Sequence, residues 1–374
     1  SASICCRQLY WKGKNVIELA NIELKAGSFH LGPLNFRAEA NSYVAVVGPT
    51  GAGKSLTGRI IAGIITPCAG QVTVNGIDIT DLAPENRGIG YVPQDYALFP
   101  HMTVRKNLAF GLAAKNRSLQ EQEEEAVRLA AQLEISHLLD RYPTNLSGGE
   151  RQRVALGRAM AVRPEVMILD EPLSAVDESI RLELTQCIAD LHRKTGGCFI
   201  HVTHNLNEAL SLASLVIVMM DGKIAQCDRP VDVLERPASI AVAEFVQAGN
   251  IVSGTVTAVA DHARLQIDGL GELLCKAGDN KPGDMAAAVI RPEFIRLVCN
   301  DSSQSDKNNT GNLFTARIVE ISRRIDCCAL RLDCGISLSA VVSIAEHKDR
   351  LQPGMNVKFT IDPAKIHLLA ETRC

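Results

Sequence analysis

Residues 16 to 48 alternate apolar and polar positions in short runs and close on the apolar stretch YVAVVG. That pattern predicts strands, the last of them buried on both faces and feeding a glycine-rich turn. The next segment, KSLTGRIIAGI, places Leu56, Ile60, Ile61 and Ile64 at helical spacing, with Pro67 as a stop. A further strand is expected over QVTVNG. Residues 103 to 140 read as helical, with the acidic run Glu121 to Glu125 on a solvated face. In LSGGERQRVALGRAMAV, Ser147 suits an N-cap and Glu150 falls at the capping-box position, so a helix begins there and ends by Pro164. VMILD and CFIHVTH are continuous apolar strands separated by the helical SIRLELTQCIADLHRKT. Strand, helix and strand in alternation imply an α/β domain around a parallel sheet covered on both faces.

After VAEFVQAGN the texture changes to short strands with frequent Gly, Asp and Asn. Two domains are expected, residues 1–245 in the α/β class and residues 250–374 all-β. The second carries an internal repeat. GNIVSGTV (249–256) resembles GNLFTARI (311–318), and PGDMAAAVIRPEFIRL (282–297) resembles PGMNVKFTIDPAKIHL (353–368). Two related small barrels joined by the polar SSQSDKNNT account for this better than one sandwich.

The length of 374 residues agrees with two domains, and no apolar stretch approaches the roughly 20 residues of a membrane-spanning helix. Thirty-nine Lys and Arg against 42 Asp and Glu give a formal charge of −3, so no global positive field exists to hold nucleic acid. With aromatic residues at 4%, stacking platforms for single strands are not expected either. The 12 cysteines scatter through apolar runs, with no CxxC spacing, and are read as reduced, buried thiols. The N-terminus lacks the charge-then-apolar pattern of a signal peptide, so a cytosolic location is expected.

GPTGAGKS at 48–55 fits a phosphate-binding loop between a strand and a helix. Gly48, Pro49, Thr50, Gly51, Ala52 and Gly53 let backbone N–H groups, on through Leu56, approach phosphates; Lys54 reaches the terminal phosphates and the Ser55 hydroxyl ligates magnesium. VMILDEP puts Asp170 and Glu171 at the C-terminal end of an apolar strand, the edge where open parallel sheets bind ligands. Asp170 is placed to hold Mg2+ through water and Glu171 to orient or deprotonate the attacking water.

LSGGERQRVALGRA at 146–159 resembles the signature of ATP-binding cassette (ABC) ATPases. It directly precedes the Walker B strand, with YVPQDYALFP upstream and LSAVD and HVTH downstream. Five motifs in the family's order cover residues 48–204, with Gly157 replacing an Ala common in the family, a change read as silent. The resemblance implies a P-loop ABC-type domain with a helical subdomain, followed by two OB-like barrels. It implies a head-to-tail homodimer around two ATP, in which Ser147, Gly148 and Gly149 of one copy meet the nucleotide held by the other copy's loop. A small-residue helix start with free N–H groups suits a terminal phosphate.

By the same resemblance Gln94 senses the magnesium ion or attacking water, and His204 contacts the terminal phosphate. Asp177 crosses the dimer interface, and Phe29 stacks on adenine, with Tyr10 and Trp11 as competitors. His201 has no motif behind it. The cassette, the paired barrels and FPHMTVRKNLAFGL after Gln94 resemble ATP-binding subunits of binding-protein-dependent importers, peripheral on the cytoplasmic face of the inner membrane. Their partners are a permease and, indirectly, a solute-binding protein. The molybdate or tungstate branch is the nearest pattern, with sulfate, ferric iron and polyamine as alternatives. LSAVVSIAEHKDRL departs from that branch in lacking adjacent basic residues, and NNTGNLF in lacking Ser and Arg before the Asn. The competing classes are a soluble ABC ATPase, which usually carries two cassettes or a coiled-coil insertion, and a phosphate-loop kinase, which needs no signature helix.

Overall fold

The computed structural model describes residues 15–174, 176–278, 280–298, 311–344 and 351–370. The chain divides into two compact units, residues 1–230 and 231–374. Residues 231–245, placed with the first domain on sequence grounds, are grouped with the second unit.

The first unit opens with strands β1 (Asn15–Ala26), β2 (Phe29–Glu39) and β3 (Tyr43–Val47), then helix α1 (Lys54–Ala62). Strands β4 (Ala69–Val74), β5 (Ile77–Asp78) and β6 (Ile89–Val92) follow. Helices α2 (Val104–Ala114), α3 (Leu119–Gln132) and α4 (Gly148–Met160) come next. The unit is completed by β7 (Val166–Asp170), α5 (Glu178–Thr195), β8 (Cys198–Val202), α6 (Leu206–Leu212), β9 (Leu215–Met220) and β10 (Lys223–Asp228).

The central sheet has the order β10-β9-β3-β8-β7-β6, parallel except for β10. Strand alternation divides its side chains between two cores. Val44, Val46, Val166, Ile168, Ile200 and Val202 pack on the side of α1 and the small sheet β2-β1-β4-β5, while Tyr43, Met167, Leu169 and Phe199 pack with α2 to α5. Burial on both faces is why these strands read as unbroken apolar runs. Parallel alignment also sends the carboxyl ends of β3, β6, β7 and β8 to one edge, where Gly48, Gln94, Glu171 and His204 follow directly.

Three local expectations are corrected. Helix α1 stops at Ala62 because Gly63 turns left-handed at φ 81°, so Ile64 lies beyond the helix and is 52% exposed. Glu125 is buried, not solvated: Arg128 grips it in a fork at 2.6 and 2.8 Å, and Arg163 adds a third contact at 3.4 Å. Gly157 is not a silent replacement, since an added Cβ would fall 2.5 Å from Leu108 Cδ2 and 2.7 Å from Leu133 Cδ1. The glycine admits two leucines to the surface of α4. Of the cysteines, Cys198 and Cys275 are buried, Cys68 is exposed and the other described ones are half-buried; all the described ones are free thiols. Cys5, Cys6, Cys299 and Cys374 lie outside the described residues.

The second unit contains α7 (Pro230–Glu235), α8 (Ile240–Phe245) and strands β11 (Asn250–Val259), β12 (His262–Ile267), β13 (Gly271–Lys276), β14 (Met285–Ile290) and β15 (Ile295–Val298). The second repeat supplies β16 (Asn312–Arg323), β17 (Cys327–Asp333), β18 (Ser337–Ser343), β19 (Asn356–Ile361) and β20 (His367–Ala370). Where two related small barrels were expected, the unit holds two five-stranded sheets, each borrowing its fifth strand: β20 joins β13-β12-β11-β14, and β15 joins β19-β16-β17-β18.

Matching asparagines clasp the two repeats. Asn250 bonds Ile290 O and both polar backbone groups of Ser339, while Asn312 bonds Ile361 O and both of Leu274. Gly269 and Gly335 touch back to back, so closely that a Cβ on Gly335 would sit 2.0 Å from Gly269 O. One core of residues from both sheets fills the unit, including Val256, Leu273, Ile318 and Phe359. Among the described residues, no helix of either unit is long and apolar enough to cross a membrane.

Candidate functional site

The loop after β3 is shaped by glycine. Gly48 cannot carry a side chain, because a Cβ would meet Met219 O at 2.2 Å; Gly53 is left-handed at φ 96° and is the N-cap of α1 with no side-chain cap bond. The first N–H groups of α1 and the positive end of its dipole are thus unclaimed by any capping side chain. At the far end of α1, Arg87 donates to Ile60 O and Ile61 O at 2.8 and 2.9 Å and holds the helix in place. Lys54 is buried and donates from Nζ to Gly48 O at 2.8 Å and Pro49 O at 2.9 Å. Burial pulls its ammonium below the ordinary lysine range, against the opposing pull of Glu171 and Asp170.

Two acidic residues face this loop from β7. The Ser55 hydroxyl donates to Asp170 Oδ1 at 2.7 Å, and the Tyr91 hydroxyl donates to Asp170 Oδ2 at 3.0 Å. Asp170 is 2% exposed, so both oxygens are satisfied by neighbours rather than by bulk water. Glu171 turns away from the strand with φ 48° and is anchored by its N–H to Val202 O at 2.9 Å. For a non-glycine residue that backbone is costly, and such outliers gather at functional sites. Glu171 Oε2 accepts from Gln94 Nε2 at 3.2 Å, and Oε1 lies 3.3 Å from His204 Nδ1. Loop, Ser55, Gln94, Asp170, Glu171 and His204 therefore form one cluster.

Ser147, Gly148 and Gly149 stand elsewhere. Ser147 caps α4 in a reciprocal capping box with Glu150, whose carboxyl is held below its usual range mainly by the Ser147 N–H. A Cβ on Gly149 would fall 3.0 Å from Ile180, so this helix start lies against the first turn of α5, which Asp177 caps by its backbone position. No hydrogen bond or ion pair among the described residues joins 147–149 or 177 to the loop at 48–55. Phe29 borders that loop: its ring edge would be 3.3 Å from a Cβ on Gly53, and it packs against the core beneath. Its competitors Tyr10 and Trp11 lie outside the described residues.

Sequence reasoning missed Tyr91, whose hydroxyl is pushed up to about 12 by burial and then by Asp170, against the opposing pull of Arg59. The signal was available only as an aromatic in IGYVP, on the strand that pairs with β7. It also missed Arg158, which donates to Tyr96 O and Ala97 O and lies 5.1 Å over Phe99, fixing the stretch after Gln94 onto α4. His201, without a motif, is fully buried with Nδ1 2.9 Å from the Tyr43 hydroxyl.

Among the described residues there is no cluster of three His, Cys, Asp or Glu poised for a metal. The oxygen donors of Ser55 and Asp170, with the Gln94 side-chain oxygen, are instead the hard, sparse set that suits magnesium sharing its coordination with phosphate and water.

A glycine loop at a helix start, a buried lysine and paired carboxylates at the strand edge define a phosphate-loop nucleotide hydrolase of the cassette type. A family model described as ABC transporter matches residues 31–174. The chain is 41% identical over 304 residues to the molybdate/tungstate import ATP-binding protein of Thermococcus kodakarensis, covering 81% of this chain and 88% of that one. It is 35% identical over 309 residues to a spermidine/putrescine import ATP-binding protein of Pseudomonas aeruginosa, covering 82% and 84%. A solved cassette, in a dimeric post-hydrolysis state with ADP and Pi, superposes with TM-score 0.53 at 28% identity, covering 57% of this chain and 98% of that one. The chain belongs to the ABC transporter family, as an ATP-binding, ATP-hydrolysing subunit.

Proposed function

We propose that this chain works as the ATPase of an importer on the cytoplasmic face of the membrane, two copies closing on two ATP to drive a permease fed by a solute-binding protein. The observation that carries the reading is the convergence of Lys54, Ser55, Asp170, Gln94, Glu171 and His204 on one strand edge while Ser147–Gly149 and Asp177 lie apart. Half of the expected contacts are then left for another copy to complete.

In this reading Lys54 and the N–H groups from Gly48 to Leu56 hold the phosphates, and Phe29 lies under the base. Ser55, Asp170 and Gln94 would hold Mg2+, which neutralises charge on the phosphate oxygens when bound. Glu171, oriented by Gln94 on one oxygen and His204 on the other, takes the proton of the attacking water. His204, at the same carboxylate, is placed to meet the terminal phosphate. Asp177 and the α4 start would act on the nucleotide of the partner copy, where the helix dipole favours a terminal phosphate.

For the cargo we propose molybdate or tungstate. The support is the Thermococcus relative together with a second one from Archaeoglobus fulgidus, 45% identical over 230 residues and covering 62% of this chain and 94% of that one. The polyamine relative keeps spermidine as the competing cargo. Deleting the gene for this chain and measuring cell-associated molybdenum, tungsten and labelled spermidine decides between them. Loss of the two metals alone supports the oxyanion reading, and loss of spermidine alone overturns it.

A further inference from the structure

One buried carboxylate stands where two loops of the site come together. Thr203 is the residue between the end of β8 and His204. Its N–H donates to Val46 O at 3.1 Å, and its hydroxyl donates to Glu208 Oε2 at 2.9 Å while accepting from the Asn205 N–H at 3.0 Å. The other oxygen, Glu208 Oε1, lies 3.7 Å from Arg181 Nε. Arg181 in turn donates from Nη2 to Val176 O at 3.4 Å, within the segment that leads from Glu171 to Asp177. Thr203 and Glu208 are 2% and 8% exposed.

Burying a carboxylate is costly unless partners compensate, and here one partner lies on the loop after β8 and the other in the first turn of α5. His201 Nε2 lies 3.8 Å from Glu208 Oε2, and His204 and Tyr43 are further titratable neighbours of this carboxylate. Thr203 is tied on one side to the strand that feeds the phosphate loop and on the other to Glu208, so His204 leaves a doubly anchored residue. Arg181 stands in the first turn of α5, four residues after its N-cap Asp177, whose carbonyl accepts from the Arg181 N–H at 2.9 Å.

We propose that Glu208 and Arg181 are a positioning pair, locking the segment that bears Asp177 to the segment that bears His204 so that both reach their places in one movement. The proposal rests on the role given to His204 above. Neither residue touches nucleotide in this account; both act through the backbone they hold. A merely structural carboxylate would cost stability, whereas a positioning one costs turnover only while His204 is there to be positioned.

The test uses the full chain, with Glu208→Gln, Arg181→Ala and the double variant each assayed for ATP hydrolysis, alone and with His204→Ala. Glu208→Gln is expected to lower kcat by about tenfold or more with KM for ATP within about twofold, and the double to lose no more than the worse single. With His204→Ala, adding Glu208→Gln is expected to change kcat by less than about twofold. A wild-type kcat for folded Glu208→Gln overturns the proposal, as do losses that multiply with His204→Ala. If His204→Ala alone turns over at the wild-type rate, the role of His204 has failed and the positioning pair falls with it, a result read from a separate variant. Should Glu208→Gln not fold, Thr203→Val, which exchanges the hydroxyl for a methyl group of similar size, carries the same expectation.

Discussion

Tyr91→Phe removes one oxygen atom and tests the support of Asp170 without touching a residue assigned to the nucleotide. The hydroxyl donates to Asp170 Oδ2 at 3.0 Å. Asp170 keeps Ser55 on its other oxygen at 2.7 Å but is too buried for bulk water to replace what is lost. A hydrogen bond to a charged group contributes about 1.5–3 kcal/mol, so about 2 kcal/mol of stability is at stake. For a domain of this size each kcal/mol shifts Tm by about 2–4 °C, giving an expected fall of about 4–8 °C in the first unit's transition. The freed Asp170 oxygen also loses its fixed direction. If about 1.4 kcal/mol of that is felt at the magnesium site, the Mg2+ concentration for half-maximal hydrolysis rises about tenfold. Thermal unfolding and a Mg2+ titration of ATPase activity at saturating ATP read the two effects separately. An unshifted Tm together with an unshifted Mg2+ curve would refute the reasoning.

Glu171→Gln keeps the shape of the side chain and removes its basicity, so hydrolysis should fall at least about a hundredfold while ATP binding persists and an ATP-bound dimer accumulates; near-normal turnover removes Glu171 from its role. Ser147→Arg should leave the monomer folded, since the side chain is exposed, yet block pairing over ATP; light scattering that still shows an ATP-dependent dimer argues against a composite site. His201 is pushed down to about 3 by burial from an ordinary 6.5, so it is neutral in the fold. Its contribution is fully present above pH about 6.5 and is lost as the pH falls toward about 3, amounting to about 2 kcal/mol between pH 7 and 5. Glu208, raised by burial, acts in the opposite sense at the lower end. Urea midpoints should therefore drop less steeply over that range in His201→Gln than in the parent, and parallel slopes would contradict the assignment.

The central sheet and the phosphate loop were legible because their constraints are local: apolar runs long enough to be strands, glycines where a Cβ has no room, a lysine at a fixed offset. The clustering of Ser55 with Asp170, 115 positions apart, followed from the parallel strand edge alone. What escaped was set by packing. Nothing in EEEA marks Glu125 as the buried one, since which face of α3 packs inward is set by the elements around it, and Arg163, just past α4, comes from a distant part of the chain. Tyr91 and Glu208 look like ordinary strand and helix residues until the neighbouring strand or loop is placed beside them. The family substitution at Gly157 looked harmless because two leucines distant in the chain decide its meaning.

The repeat in the second unit was visible, but the exchange of β15 and β20 was not, because a repeated pattern says nothing about which copy a strand pairs with. That trade ties the two copies together. A chain severed between residues 298 and 312 would leave each half with a strand parted from its sheet and a sheet parted from its edge strand. Whatever deforms one sheet must pull on the other, and the tail answers any load as a single spring.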